Sequence, residues 1–290
     1  MIKFQSIFPR INISKKTYFY LTVIACFFIA AIIVTGAAVR LTGSGLGCPT
    51  WPKCSSGSFT PTKAESSHSL IEFGNRLFTG AVSASVILAI LGSLILKPFN
   101  KRLTWLSVGL VIGILIQIVL GGITVLVKLH PLAVGSHMLV SMAILSNAVI
   151  LCYCAKSRVD LSLKNLFKPT FNLLLFIVTN LVVVAGIVVT AAGPHAGGQD
   201  TVRLDANIET VARIHSFFAW CFTILMLFLY FKFKNHSWQL KSLFLITLLQ
   251  IAWGYSQYFN GIPAWMVIFH VFLAAMLYLF ATLNWLNSTK

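Results

Sequence analysis

The chain has 290 residues, 58% of them hydrophobic and only 10% charged, with a mean hydropathy of +0.87. A soluble domain carries about a quarter of its residues as charges, so the composition excludes a soluble globular protein and points to an integral membrane protein. The net charge of +16 reads as membrane topology and attraction to anionic lipid, not as a nucleic-acid footprint.

In chain order, charged residues cut the apolar sequence into eight spans, near residues 18–39, 71–96, 104–127, 133–154, 171–192, 209–231, 242–259 and 264–286. A helix needs roughly 20 apolar residues to cross the hydrocarbon. The first span is too long for a signal-peptide core and reads as a retained helix. Asn260-Gly261-Ile262-Pro263 separates the last two with turn-forming residues. With the N-terminus inside, fifteen of the 22 basic residues fall on the inner side, from Lys3, Arg10, Lys15 and Lys16 to Lys290. Glu65, Glu72, Asp200, Asp205 and Glu209 fall outside. The positive-inside rule therefore puts both termini in the cytoplasm.

The chain also repeats itself. Gln117-Ile118-x-x-Gly121 followed by His137 returns 133 residues later as Gln250-Ile251-x-x-Gly254 followed by His270. Gly36 and Gly43 return as Gly186 and Gly193, and Glu72-x-x-x-Arg76 returns as Glu209-x-x-x-Arg213. Four spans per copy bring the chain back to the same side, so the copies are parallel repeats. The expected fold is an all-α integral membrane protein of eight transmembrane helices. It forms two tandem four-helix bundles, residues 1–156 and 157–290, related by a pseudo-two-fold along the membrane normal, and bundle cores are a usual place for cofactors.

Chemistry follows from depth. His137, His215 and His270 share one level at the outer ends of their spans, and intramembrane histidines are costly unless they face a partner, a cavity or a metal. Imidazole is an axial ligand for haem iron, and His215 facing His270 suits a six-coordinate haem; the plainer reading is one polar helix contact apiece. No close-spaced histidine or cysteine cluster favours zinc or copper. The first copy breaks the symmetry. An offset of 140 carries His215 back to Asn75, which is no ordinary haem ligand, and leaves His137 as the ligand the repeat supports. His68, seven residues before Asn75, is either a displaced ligand or a loop histidine. Glu72 reads equally as a helix-start cap paired with Arg76 and as a general base or proton relay. Glu209 and Arg213 read as a cap or as contacts to haem propionates. Cys48 and Cys54 lie outside, where a disulfide persists, and serve either as a staple or as a redox-active pair.

These motifs together resemble one family. The run Thr35-Gly36 to Arg40-Leu41-Thr42-Gly43-Ser44-Gly45, the Cys48-Pro-x-Trp-Pro-x-Cys54 loop and Ile71-Glu72-Phe73-Gly74-Asn75-Arg76 are similar to the haem A synthase family. So are Gly193-Pro194-His195-Ala196-Gly197, Arg213-Ile214-His215 and the placement of His137 and His270, over essentially the whole chain. The resemblance implies a bacterial plasma-membrane enzyme of cytochrome oxidase assembly that oxidises the C8 methyl of haem O to a formyl group through hydroxylated intermediates. It implies haem B on His215 and His270 in the second bundle. It also implies a substrate haem in the first, near Glu72, Asn75, Arg76 and His137. Partners it suggests are a haem O synthase, oxidase assembly factors and further copies of the chain. Many relatives carry histidine where this chain has Asn75, so a five-coordinate iron on His137 is expected here. The alternatives are a di-haem b-type cytochrome in quinone-linked electron transfer and a haem transporter. The first gives Glu72 and the cysteine loop no task, and the second expects polar residues along a midplane path.

Overall fold

The computed structural model describes residues 12–61, 67–157, 167–198, 201–232 and 236–288. Lys3, Arg10, Glu65, Arg158, Lys164, Asp200, Lys234 and Lys290, on which the orientation reading partly rests, lie outside the described residues. Among those described, eight α-helices occur in order: α1 Lys15–Leu41, α2 Ser67–Ile95, α3 Lys101–Leu126, α4 Pro131–Lys156, α5 Phe171–Ala192, α6 Ile208–Lys232, α7 Trp238–Phe259 and α8 Ala264–Asn287.

Local chemistry starts these helices where the charges suggested. Ser14, Asn100, Thr170 and Ser237 accept hydrogen bonds at their side-chain oxygens from first-turn N–H groups of α1, α3, α5 and α7; such caps satisfy donors a helix cannot pair itself. His130 caps α4 the same way, with Pro131 at the first helical position. Seven helices are long and apolar enough to cross a membrane, and α7 is the exception. Its sequence carries Gln239, Lys241, Thr247, Gln250, Ser256 and Gln257, and several of its polar groups are spent on neighbouring helices. Gln250 reaches His270, Trp253 donates to the Met266 carbonyl at 2.8 Å, and Tyr255 meets Ser216 and Trp220.

Helices α1 to α4 pack in a closed ring, α1 on α2, α2 on α3, α3 on α4 and α4 on α1. Helices α5 to α8 make a second ring in the same order, with α6 touching α7 least. Helix α8 also packs on α1 and α4, so the largest buried cluster joins Tyr18, Leu110, Leu145 and Leu151 to Tyr278 and Leu286. Away from these cores, large apolar side chains such as Phe27, Leu115 and Phe217 face outward, as lipid contact requires. Polar crosslinks set the register. Tyr18 meets Ser107 at 3.0 Å, Ser146 donates to the Tyr278 hydroxyl at 3.2 Å, and Tyr278 donates to Asn180 at 3.1 Å. Such bonds average only about 0.6 kcal/mol between membrane helices. They select one packing rather than supply most of the stability.

Candidate functional site

Three histidines rest on three glycines. A Cβ added to Gly121 of α3 would lie 3.5 Å from His137 Cε1 of α4, and one on Gly254 of α7 would lie 3.3 Å from His270 Cε1 of α8. The same construction at Gly186 of α5 comes within 3.1 Å of His215 Cε1 of α6. In each case the missing side chain lets an imidazole lie against a neighbouring helix. Gln117 donates to the His137 carbonyl at 3.0 Å and also to Ser141. Gln250 approaches the His270 carbonyl at 3.3 Å and its Nε2 at 3.2 Å. The 133-residue echo is thus a structural unit: a glutamine and a glycine on one helix hold a histidine of the next.

His215 and His270 face each other, with ring centroids 6.4 Å apart and planes at 72°. A metal–imidazole bond of about 2 Å would put two facing centroids roughly 6 Å apart. The His215 Nδ1–H donates to the Val182 carbonyl at 3.1 Å, which leaves Nε2 as a donor of electrons. Buried His270 Nδ1, His137 Nδ1, Gln250 Oε1 and Gln117 Oε1 have no hydrogen-bond partner. Facing imidazoles, with ring nitrogens that lack a partner on His270 and on His137, are side chains that could hold a haem iron. No group of three or more His, Cys, Asp and Glu side chains suited to a metal ion occurs among the described residues.

Asn75 stands elsewhere in its chemistry. Thr35 Oγ1 donates to Asn75 Oδ1 at 2.8 Å, so Asn75 meets α1 beside Gly36, as His215 meets α5 at Gly186. The contacts support the 140-residue offset between α2 and α6. They also correct one expected equivalence, because the two Glu-x-x-x-Arg motifs are offset by 137 and sit about one turn out of register. Glu209 and Arg213 are largely exposed, and their one ion pair is 3.5 Å long.

Glu72 is buried and fully engaged. Its Oε1 accepts from Arg76 Nη2 at 2.6 Å and Nε at 3.2 Å, and its Oε2 accepts from the Cys48 N–H at 2.7 Å. Arg76 also donates to the carbonyls of Cys48, Thr50 and Lys53. The pair therefore clamps the loop closed by the Cys48–Cys54 disulfide, and both cysteines are buried. Helix α2 begins at Ser67, four residues before the expected start, which brings His68 into its first turn; His68 Nδ1 is 2.8 Å from Ser44 Oγ. A Cβ on Gly47 would drive into the backbone of His68 and Ser69, so the loop docks here only with glycine. Gly47→Ala is expected to release it, seen as faster proteolysis within residues 47–61 and faster reduction of the disulfide.

A second seam was not foreseen from the sequence. Arg40 of α1 donates through Nη1 to the His195 carbonyl at 2.7 Å, and His195 Nε2 lies 2.8 Å from the Ile262 carbonyl. The Gly45 N–H donates to the Gly197 carbonyl at 2.9 Å. These bonds tie the loop after α1 to the loops after α5 and α7. Their acceptors are backbone carbonyls, which leave no mark in a sequence.

Comparison with known proteins finds three relatives of one name. A Heme A synthase of Bacillus pumilus is 32% identical over 133 residues, 45% of this chain and 42% of that protein. One of Exiguobacterium sibiricum is 24% identical over 262 residues, 85% of this chain and 87% of that protein. One of Shewanella oneidensis is 29% identical over 178 residues, 55% and 53%. The chain thus spans about half the length of two of these relatives and most of the third. The COX15-CtaA model, cytochrome oxidase assembly protein, matches residues 19–282. The chain belongs to this family, that of the haem A synthases.

Proposed function

We propose that this chain is a haem A synthase of the bacterial plasma membrane. It oxidises the C8 methyl group of haem O to a formyl group through hydroxylated intermediates, for cytochrome oxidase assembly. Family membership and the names of the relatives support the activity. The two closed rings of four helices support a tandem pair of bundles about a pseudo-two-fold along the membrane normal, with both termini cytoplasmic. The observation that carries the reading is that His215 faces His270 in the second half, while in the first half the residue at the matching sequence position is Asn75, bonded to Thr35.

His215 and His270 would hold haem B, which supplies one-electron transfer when bound. His137 would hold the iron of the substrate haem, with Asn75 and Arg76 on the facing helix. His68, tied to Ser44, keeps the outer rim and receives no iron. With water as the oxygen source, each of the two hydroxylations of the methyl carbon releases two electrons and two protons. The electrons go to an external oxidant such as a membrane quinone, and the resulting geminal diol loses water to the aldehyde. Glu72 lies one turn from Asn75 on α2 and accepts those protons; Arg76 and the Cys48 N–H hold its carboxylate in place. The disulfide acts as the staple of that support. A haem O synthase is the natural donor of substrate, and oxidase assembly factors take the product.

The test is co-expression with a haem O-producing host, followed by chromatography of extracted haems. Formyl and hydroxymethyl haem are expected with the wild-type chain, and a loss of at least about 100-fold with Glu72→Ala, within the range for a removed acid–base group. Bound haem B with no oxidised haem in any sample would favour a di-haem cytochrome. Absence of haem from the purified protein would favour a transporter.

A further inference from the structure

Of the repeat-related glycines within helices, Gly121, Gly186 and Gly254 each carry a histidine ring, and Gly36 does not. A Cβ on Gly36 meets nothing within 4 Å, whereas its counterpart Gly186 has His215 at 3.1 Å. The acceptors correspond as well. In the second half the Val182 carbonyl accepts from His215 Nδ1 at 3.1 Å. Its counterpart 150 residues earlier, the Ile32 carbonyl, lies 3.3 Å from Thr35 Oγ1. The Thr35 hydroxyl has one proton, and the shorter contact, 2.8 Å to Asn75 Oδ1, takes it. With Oδ1 so occupied, the Asn75 amide turns its two N–H donors away from Thr35. The Asn75 side chain also has two heavy atoms fewer than a histidine. The result is open space beside Gly36, where the corresponding place beside Gly186 holds the His215 ring.

We propose that Thr35, Gly36 and Asn75 form a pocket for a small oxygen ligand, water or hydroxide, at the position that the His215 ring fills in the second half. The proposal rests on the reading that His137 holds the iron of the substrate haem, and it adds what stands on the other side. An N–H donor there stabilises an oxygen ligand that carries partial negative charge, and Gly36 keeps the wall from reaching it. Thr35 is a positioning residue, since it acts by orienting the Asn75 amide.

The test is spectroscopic and does not depend on turnover. Purified protein retaining haem B is loaded with ferric haem O and followed by absorption and electron paramagnetic resonance, with imidazole and cyanide as probes. The added haem is expected to be high-spin and to turn low-spin with either probe. Gly36→Val, whose side chain enters open space and leaves the fold intact, weakens imidazole by at least about tenfold, while Gly36→Ala has a smaller effect. Asn75→Leu removes the donors at similar volume and weakens cyanide about tenfold, as loss of one hydrogen bond to a charged ligand predicts. Thr35→Val gives part of the same loss, and Asn75→His makes the added haem low-spin without any probe. A wild-type spectrum already low-spin, or titrations unmoved by Gly36→Val and Asn75→Leu, overturns the pocket. His137→Ala separates the two ideas: if that variant loads and titrates like wild type, the haem reading itself fails; if it loses the added haem, that reading stands whatever the pocket variants do.

Discussion

Replacing Glu72 by alanine is expected to lower stability in detergent by about 3 kcal/mol, the low end for breaking a buried ion pair. Replacing Glu209 is expected to cost less than about 1 kcal/mol. Both residues stand four before an arginine on a helix. The Glu72 side chain is 8% exposed and Arg76 23%, and the partners are 2.6 Å apart. For Glu209 and Arg213 the exposures are 62% and 81% at 3.5 Å, so solvent and salt screen the pair. Loss of Glu72 leaves the Arg76 guanidinium with carbonyls only and the Cys48 N–H without its acceptor. The partial exposure of Arg76 holds the cost near the low end. Glu72→Gln keeps an oxygen for Cys48 and is expected to lose about half as much. Arg76→Lys fares worse than its charge suggests, because one ammonium cannot span the four oxygens that the planar fork reaches. Chemical unfolding of the four variants, with proteolysis of the 47–61 loop, checks the order. Equal losses for Glu72→Ala and Glu209→Ala would refute the clamp.

The same comparison shows which parts of the molecule were legible beforehand. The eight helices were, because charges and polar turns interrupt a long apolar sequence and caps such as Asn100 and Thr170 stand at the interruptions. The Gln–Gly–His echo was legible for a related reason. All three residues of each unit keep one offset, and each has a distinct task across a helix pair. The Glu-x-x-x-Arg echo misled, since a shift of three residues on a helix preserves the face and the i,i+4 spacing while moving the pair out of the buried zone. The docking of the disulfide loop on Glu72 was beyond reach, as was the Arg40 seam. In both, the side chain binds backbone N–H or C=O groups, and the chain's path through a loop decides where those stand. Thr35 shows the intermediate case: its place in the resembling motif marked it, but only its contact with Asn75 gave it a task.

His215→Ala and His270→Ala are each expected to abolish the low-spin haem B spectrum of the purified protein, with His137→Ala and His68→Ala leaving it intact. Two rings 6.4 Å apart leave room for one iron between them, and on the proposed function removal of either ring would take away one of its two axial ligands. Graded losses should follow from the residues that hold the rings. Gly186→Ala puts a methyl 3.1 Å from His215 Cε1, tighter than the ring tolerates without tilting, and the tilt strains the Nδ1–H bond to Val182. Gln250→Leu removes the amide that contacts both the His270 carbonyl and its Nε2. Changes in such supporting partners cost roughly 10- to 100-fold in metal affinity, so both variants should retain haem B at reduced occupancy and release it sooner to a haem-accepting apoprotein. Gln117→Leu makes the decisive control. It disturbs the equivalent contact in the first half, so haem B should be untouched and only the loading of added haem should weaken. If Gln117→Leu and Gln250→Leu instead weakened haem B alike, the two halves would share one site, and the division of labour between His137 and the His215–His270 pair would fall.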